Sequence, residues 1–203
     1  MPPSHDTFSL LHDETLRLAQ LVEDVLQLAR ADVAQENLRL EQVDARELID
    51  NALATFAPRF TEKSVTLNIH FPEEPVLALM DTAKIGRVLR NLTDNAALYS
   101  PEGEVVEVGV MQGPHMVRVE YANKAKDLRA DDLPHLFERF YRGEKSRSRQ
   151  HGGAGIGLAI VKELVEAHGG IVGAEMKGEK IHIWFELPLK MHSERIPFCL
   201  QKG

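Results

Sequence analysis

The chain has 203 residues, 43% hydrophobic and 27% charged, with a formal net charge of -7. That length supports one substantial core with an appended element, and no apolar run approaches the roughly 18 residues of a membrane span. The acidic balance argues against general affinity for nucleic acid or anionic lipid, and the lone Cys199 excludes an internal disulfide framework and points to a reducing compartment.

In chain order, the opening MPPSHDTF shows no basic-then-apolar signal pattern, so the cytoplasm is the expected location. From about residue 9 to residue 33, Leu11, Thr15, Leu18, Val22, Val25 and Ala29 repeat at alternating spacings of four and three. This heptad seam, broadened by Leu21, Leu26 and Leu28, predicts a bundle helix that needs partner helices. A polar stretch, 34–43, reads as a linker. Asp44 is placed to cap a second helix, DARELIDNALATFAPRF, with Glu47 completing a capping-box-like pair and Pro58 kinking or ending it. SVTLNIHF alternates as a strand, and VLALMD reads as a buried one. Asp81 then caps a third helix through TAKIGRVLRNLTDNAALYS, closed by Pro101 and Gly103.

Two alternating strands follow, EVVEVGVM and HMVRVEYA, turned at Gly113-Pro114. Residues 123–153 carry much charge and one short apolar turn, LPHLFERFY; so long a loop inside a compact domain is usually functional or disordered. The helix IGLAIVKELVEAHGG and the strands IVGAEM and IHIWFELP end the fold at residue 188. The expected class is α/β (α+β): a two-layer sandwich of a mixed, mainly antiparallel sheet covered on one face by helices, preceded by one long amphipathic bundle helix. The expected domains are the bundle helix at 1–33, the linker at 34–43, the sandwich at 44–188 and a tail of unknown role at 189–203.

Chemistry concentrates at two places. Four glycines between Gly152 and Gly157 open a helix, just after Arg142, Lys145, Arg147 and Arg149. A helix start exposes unpaired N–H groups and the positive end of the helix dipole, which suits phosphate, and glycines allow close backbone approach. Gly153, Gly155 and Gly157 lack the dinucleotide spacing, and no Lys-Ser or Lys-Thr pair follows them as a P-loop requires. The third helix supplies Asn91 and Asn95, four apart on one face, with Tyr99 one turn further. An amide oxygen is a suitable neutral ligand for Mg²⁺, and an aromatic at the same helix end could pack on a base.

These motifs resemble the ATP-binding catalytic part of bacterial sensor histidine kinases, of the GHKL superfamily, over about residues 10 to 188. NLTDNAALYSP is similar to the family's N box, LFERFYRGE to its F box, and GGAGIGLAIVKELVEAHGG to its second glycine box, in the expected order. The helix ETLRLAQLVEDVLQLARAD is similar to the second helix of the dimerisation and phosphoacceptor hairpin. The resemblance implies that Asn95 holds Mg²⁺ with Asn91 assisting, and that Tyr99 flanks the adenine. It also implies that Gly153, Gly155 and Gly157, with the adjoining Ile156 and Leu158, meet the phosphates, while Phe137, Phe140 and Arg142 anchor a lid over ATP. The implied reaction is transfer of the γ-phosphoryl group to a histidine. The implied partners are a phosphoacceptor helix, a response regulator receiver domain and, through the N-terminal helix, a second copy; nucleic acid is not among them.

The sequence departs from the family at three places. Asn123, Ala125 and Asp127 stand where D-x-G-x-G is usual; Asn123 can still accept from an adenine amino group, but without charge, which weakens binding by about 1 kcal/mol or roughly fivefold. Leu98 stands where many relatives carry a lysine. No phosphoacceptor run appears, for His5 is too close to the bundle helix to form a hairpin and the surroundings of His12 match the second helix. The other histidines, including His70, His168 and His182, read as surface residues. The acceptor histidine is therefore expected outside this chain, and a parent sensor could be membrane-anchored. The alternative is a degenerate module of the same fold that dimerises or regulates without kinase activity; a serine kinase of the anti-sigma type is disfavoured by the heptad helix.

Overall fold

Two aspartates start two of the helices that cover the sheet. In the computed structural model, which describes residues 38–125, 128–141 and 155–189, α1 (Ala45–Glu62) follows Asp44 and α2 (Thr82–Tyr99) follows Asp81. The Asp81 side chain accepts the Lys84 N–H at 3.1 Å, an N-cap of the expected kind. Asp44 also caps, but through the Arg46 N–H at 3.1 Å, and Arg46 folds its guanidinium back onto the same carboxylate at 2.8 Å. Arg46 therefore takes the place beside the cap that the sequence reading gave to Glu47. The heptad seam of residues 9–33 lies outside the described residues.

Pro58 does not end α1, which continues through it to Glu62. The helix closes instead at Lys63, where Val65 N–H reaches Phe60 O at 2.8 Å and Ser64 takes a left-handed φ of 54°. Lys63 then extends its Nζ to the carbonyls of Ala97 and Leu98, at 2.6 and 2.8 Å, placing a cation at the negative end of α2.

The main sheet has the order β2-β4-β5-β7-β6, built from β2 (Thr66–His70), β4 (Val105–Gln112), β5 (Met116–Lys124), β6 (Ile171–Lys177) and β7 (Lys180–Pro188). β2 and β4 run parallel, and the other pairings are antiparallel. Alternation decides the faces: Ile181, Ile183, Phe185 and Leu187 of β7 are buried under the helices, while Lys180, His182, Trp184 and Glu186 point the other way. The third helix, α3 (Gly157–Ala167), lies beside α2 on the covered face. The expected two-layer arrangement is thus observed.

One strand was not legible. β1 (Glu41–Asp44) pairs antiparallel with β3 (Leu77–Met80) in a separate two-stranded ribbon, Gln42 opposite Leu79. Part of the stretch read as linker is therefore strand; EQVD has one apolar residue and gives no alternation to detect.

Candidate functional site

The sequence reading requires the asparagine-bearing helix and the glycine-rich helix mouth to meet. They do. Asn91 on α2 donates its Nδ2 to Arg87 O at 3.1 Å, so its Oδ1 is the atom left to face outward. A Cβ placed on Gly157, the first residue of α3, would lie 3.1 Å from that oxygen. Glycine is what lets the helix start approach the Asn91 amide oxygen so closely. Asn95 and Tyr99, both half-buried, continue along the same face of α2.

The first turn of α3 has no side-chain cap. Ile156 at the cap position has no side-chain oxygen, and the first helical bond runs from Ile160 N–H to Ile156 O at 3.0 Å. The N–H groups of Gly157, Leu158 and Ala159 consequently have no carbonyl within the helix. Ile156 is 1% exposed and belongs to the core, and Leu158 packs against that core. Gly155 holds a φ of 75°, a conformation that suits glycine.

The segment before the glycines is tied to the same place. Phe140 donates its N–H to Gly155 O at 2.9 Å and itself adopts a φ of 66°, which for a bulky residue costs on the order of 1–3 kcal/mol. Its neighbours hold it there. Arg139 bonds Glu163 of α3 at 3.0 Å through Nε and 2.5 Å through Nη2, and Tyr141 donates its hydroxyl to Asp132 Oδ1 at 2.5 Å. The Tyr141 bond, with the Arg129 N–H on Oδ2 at 2.8 Å, keeps the Asp132 carboxyl below its usual range. The Phe140 side chain is exposed, whereas Phe137 packs on the core. Arg142 and Gly153 lie outside the described residues.

The sheet supplies a floor. Tyr121 on β5 is buried, and its hydroxyl lies 2.9 Å from the Thr93 hydroxyl of α2; burial drives the Tyr121 acidity far below that of an ordinary phenol. Two residues on, Asn123 shares that covered face and is 4% exposed, with its Nδ2 donating to Lys124 O at 3.1 Å. Its Oδ1 is then the acceptor available to a bound group. Ala125 follows, half-buried, its N–H on Glu179 O at 3.2 Å.

His168 corrects the sequence reading. It is not at the surface but 2% exposed at the C-terminal end of α3, with Nδ1 2.7 Å from Leu164 O and Nε2 3.1 Å from the Asp81 N–H. A residue just past a helix reads as exposed unless a distant element covers it, and here the start of α2 does. The hydrogen bonds Thr93–Tyr121 and Arg139–Glu163 are likewise long-range and left no local signal.

A family model described as histidine kinase-, DNA gyrase B-, and HSP90-like ATPase matches residues 80–191. The chain belongs to this ATPase family. Within it, the signal transduction histidine-protein kinase BaeS of Escherichia coli is 33% identical over 191 residues, which is 94% of this chain and 41% of BaeS. The sensor histidine kinase WalK of Bacillus subtilis is 33% identical over 185 residues, 90% of this chain and 30% of WalK. This chain thus spans less than half the length of either. Among solved structures, full-length ShkA in complex with AMPPNP superposes with a TM-score of 0.79 at 27% identity, covering 95% of this chain and 41% of ShkA. Among the described residues no helix is long and apolar enough to cross a membrane.

Proposed function

We propose that this chain is the ATP·Mg²⁺-binding catalytic part of a two-component sensor histidine kinase, and that it passes the γ-phosphoryl group to a histidine carried outside it. The observation that supports this most is the approach of Gly157 to Asn91 Oδ1, which puts an amide oxygen, a suitable hard-cation ligand, beside the unpaired N–H groups of a helix start. Asn91 and Asn95 would hold Mg²⁺, which when bound supplies charge neutralisation between the phosphates. The N–H groups at Gly157 to Ala159 would receive phosphate oxygens, Tyr99 would flank the base, and Asn123 Oδ1 would accept from the adenine amino group. Residues 139–141 are tied to Asp132, Glu163 and Gly155 beside that helix start, and in this reading Arg142 would add a cation for the phosphates. With little covalent work for the protein to do, positioning and electrostatics carry the transfer. The partners of this reading are a phosphoacceptor helix, a response regulator and a second copy through the N-terminal helix, and its setting is the cytoplasmic side of a sensor.

A second reading has its own observation: Asn123, Ala125 and Leu98 stand where the family's charged and glycine residues are usual. In that reading the domain binds or regulates without transfer. Incubating the chain with γ-labelled ATP and a supplied phosphoacceptor hairpin decides between them. Acid-labile, base-stable label on the hairpin histidine supports the kinase; nucleotide binding without label at saturating ATP supports the regulatory module.

A further inference from the structure

His168 is buried, titratable and remote from the proposed ligand, so the phosphoryl chemistry does not use it. Its hydrogen bonds are specific. Leu164 O can only accept, so Nδ1 carries the proton; the Asp81 N–H can only donate, so Nε2 is bare. The imidazole is therefore neutral and in one tautomer. Asp81 is fixed in turn, its Oδ1 taking the Lys84 N–H and its Oδ2 the Arg39 N–H, both at 3.1 Å.

Two contacts mark the ends of the stretch over which the two helices pack. At one end His168, just past α3, bonds Asp81, just before α2; at the other, Gly157 abuts Asn91. At roughly 1.5 Å per residue, Asp81 to Asn91 spans about 15 Å and Gly157 to His168 about 17 Å. The helices are antiparallel segments of nearly equal length, and a slide or tilt at one contact must appear at the other.

We propose that His168 is a positioning residue: by accepting the Asp81 N–H it locks the far end of α3 to the start of α2 and so sets the spacing of Gly157 from Asn91 where nucleotide binds. The ligand in this inference rests on the proposed function; the geometry does not. Protonation breaks the lock, because an N–H on Nε2 would then oppose the Asp81 N–H. The charged groups facing the ring are the Asp81 carboxylate, which favours the proton, and Lys84, which opposes it. Burial outweighs both the carboxylate and the Leu164 carbonyl and holds the group below its ordinary value of 6.5. Since the unfolded chain binds this proton more readily, the contribution to stability is complete above about pH 6.5 and falls away as pH drops through the lower, folded value.

The test compares the native chain with His168→Gln, which can present an acceptor near Nε2, and His168→Leu, which cannot. Two quantities are followed from roughly pH 8 down to the lowest pH at which the chain stays folded: the Kd of Mg²⁺·AMPPNP, and the NMR positions of the Gly157 amide and the Asn91 side-chain amide in the nucleotide-free protein. At pH 8 the Leu variant should bind about tenfold more weakly and the Gln variant within about threefold of native. The two amide signals should shift in the Leu variant, and titrate in the native chain but not in the Gln variant. Unmoved signals in a folded Leu variant, or a native titration that persists in the Gln variant, overturn the inference. Should the native chain bind no nucleotide, the proposed function fails while the two amide signals still decide the role of His168; should the Leu variant not fold, the native and Gln titrations decide it.

Discussion

The two faces of the main sheet handle polar groups in opposite ways. Under the helices several are buried with a specific partner: Thr93 with Tyr121, Asp81 with His168, Asn123 with the strand backbone. On the open face they are many and shared. Arg118 lies 4.0 Å over the Trp184 ring and faces Glu120 at 3.1 Å, Glu186 at 3.3 Å and Glu175 at 3.7 Å, while His182 meets Glu120 at 2.6 Å. Buried groups have no water to fall back on, so each needs its one partner; the open face can lose a partner and substitute another. Position, rather than the number of charges, decides which polar residues matter.

A pair of glycines sharpens the contrast most. A Cβ on Gly170 would stand 2.2 Å from Glu186 O and 2.8 Å from Val165 Cγ1, and backbone cannot step aside. Gly170→Ala should cost about 3 kcal/mol, seen as a lowered denaturation midpoint. Next in size is Tyr121→Phe, which strips the Thr93 hydroxyl of its partner; about 1–2 kcal/mol is expected, and adding Thr93→Val should recover part of it. A Cβ on Gly173 also falls 2.2 Å from its neighbour, but that neighbour is Trp184 on the open face. There the ring can swing out from under Arg118, so Gly173→Ala should cost only about 1 kcal/mol, with a shift in Trp184 fluorescence. Equal losses at the two glycines would break the comparison. Smallest is Glu166→Gln at the exposed Lys162–Glu166 pair, 3.9 Å apart, with an expected change within about 0.3 kcal/mol.

Short-range features were legible in the sequence. Alternation in β4, β5 and β7 separates core from open face, and Asp44 and Asp81 mark helix starts because capping depends on neighbours a few residues away. Asn91 and Asn95 could be put on one face by spacing alone. The contact of Asn91 with Gly157 could only be inferred from the order of the motifs, since it joins residues distant in the chain. Long-range partners escaped for the same reason: His168 looks exposed until Asp81 arrives, and β1 is defined by β3 rather than by its own four residues. The run of α1 through Pro58 reflects packing, which overrode a local breaker.

The meeting of Asn91 and Gly157 as one nucleotide site is tested most directly by calorimetric titration of native and Gly157→Ala protein with AMPPNP, with and without Mg²⁺. The added methyl sits at a helix position where alanine is favoured by about 0.5–1 kcal/mol, yet it presses on Asn91 Oδ1 at 3.1 Å. The expected result is Mg²⁺-dependent binding by the native chain, weakened about tenfold or more in the variant while its melting temperature holds or rises. Equal affinity in the two proteins would contradict the site.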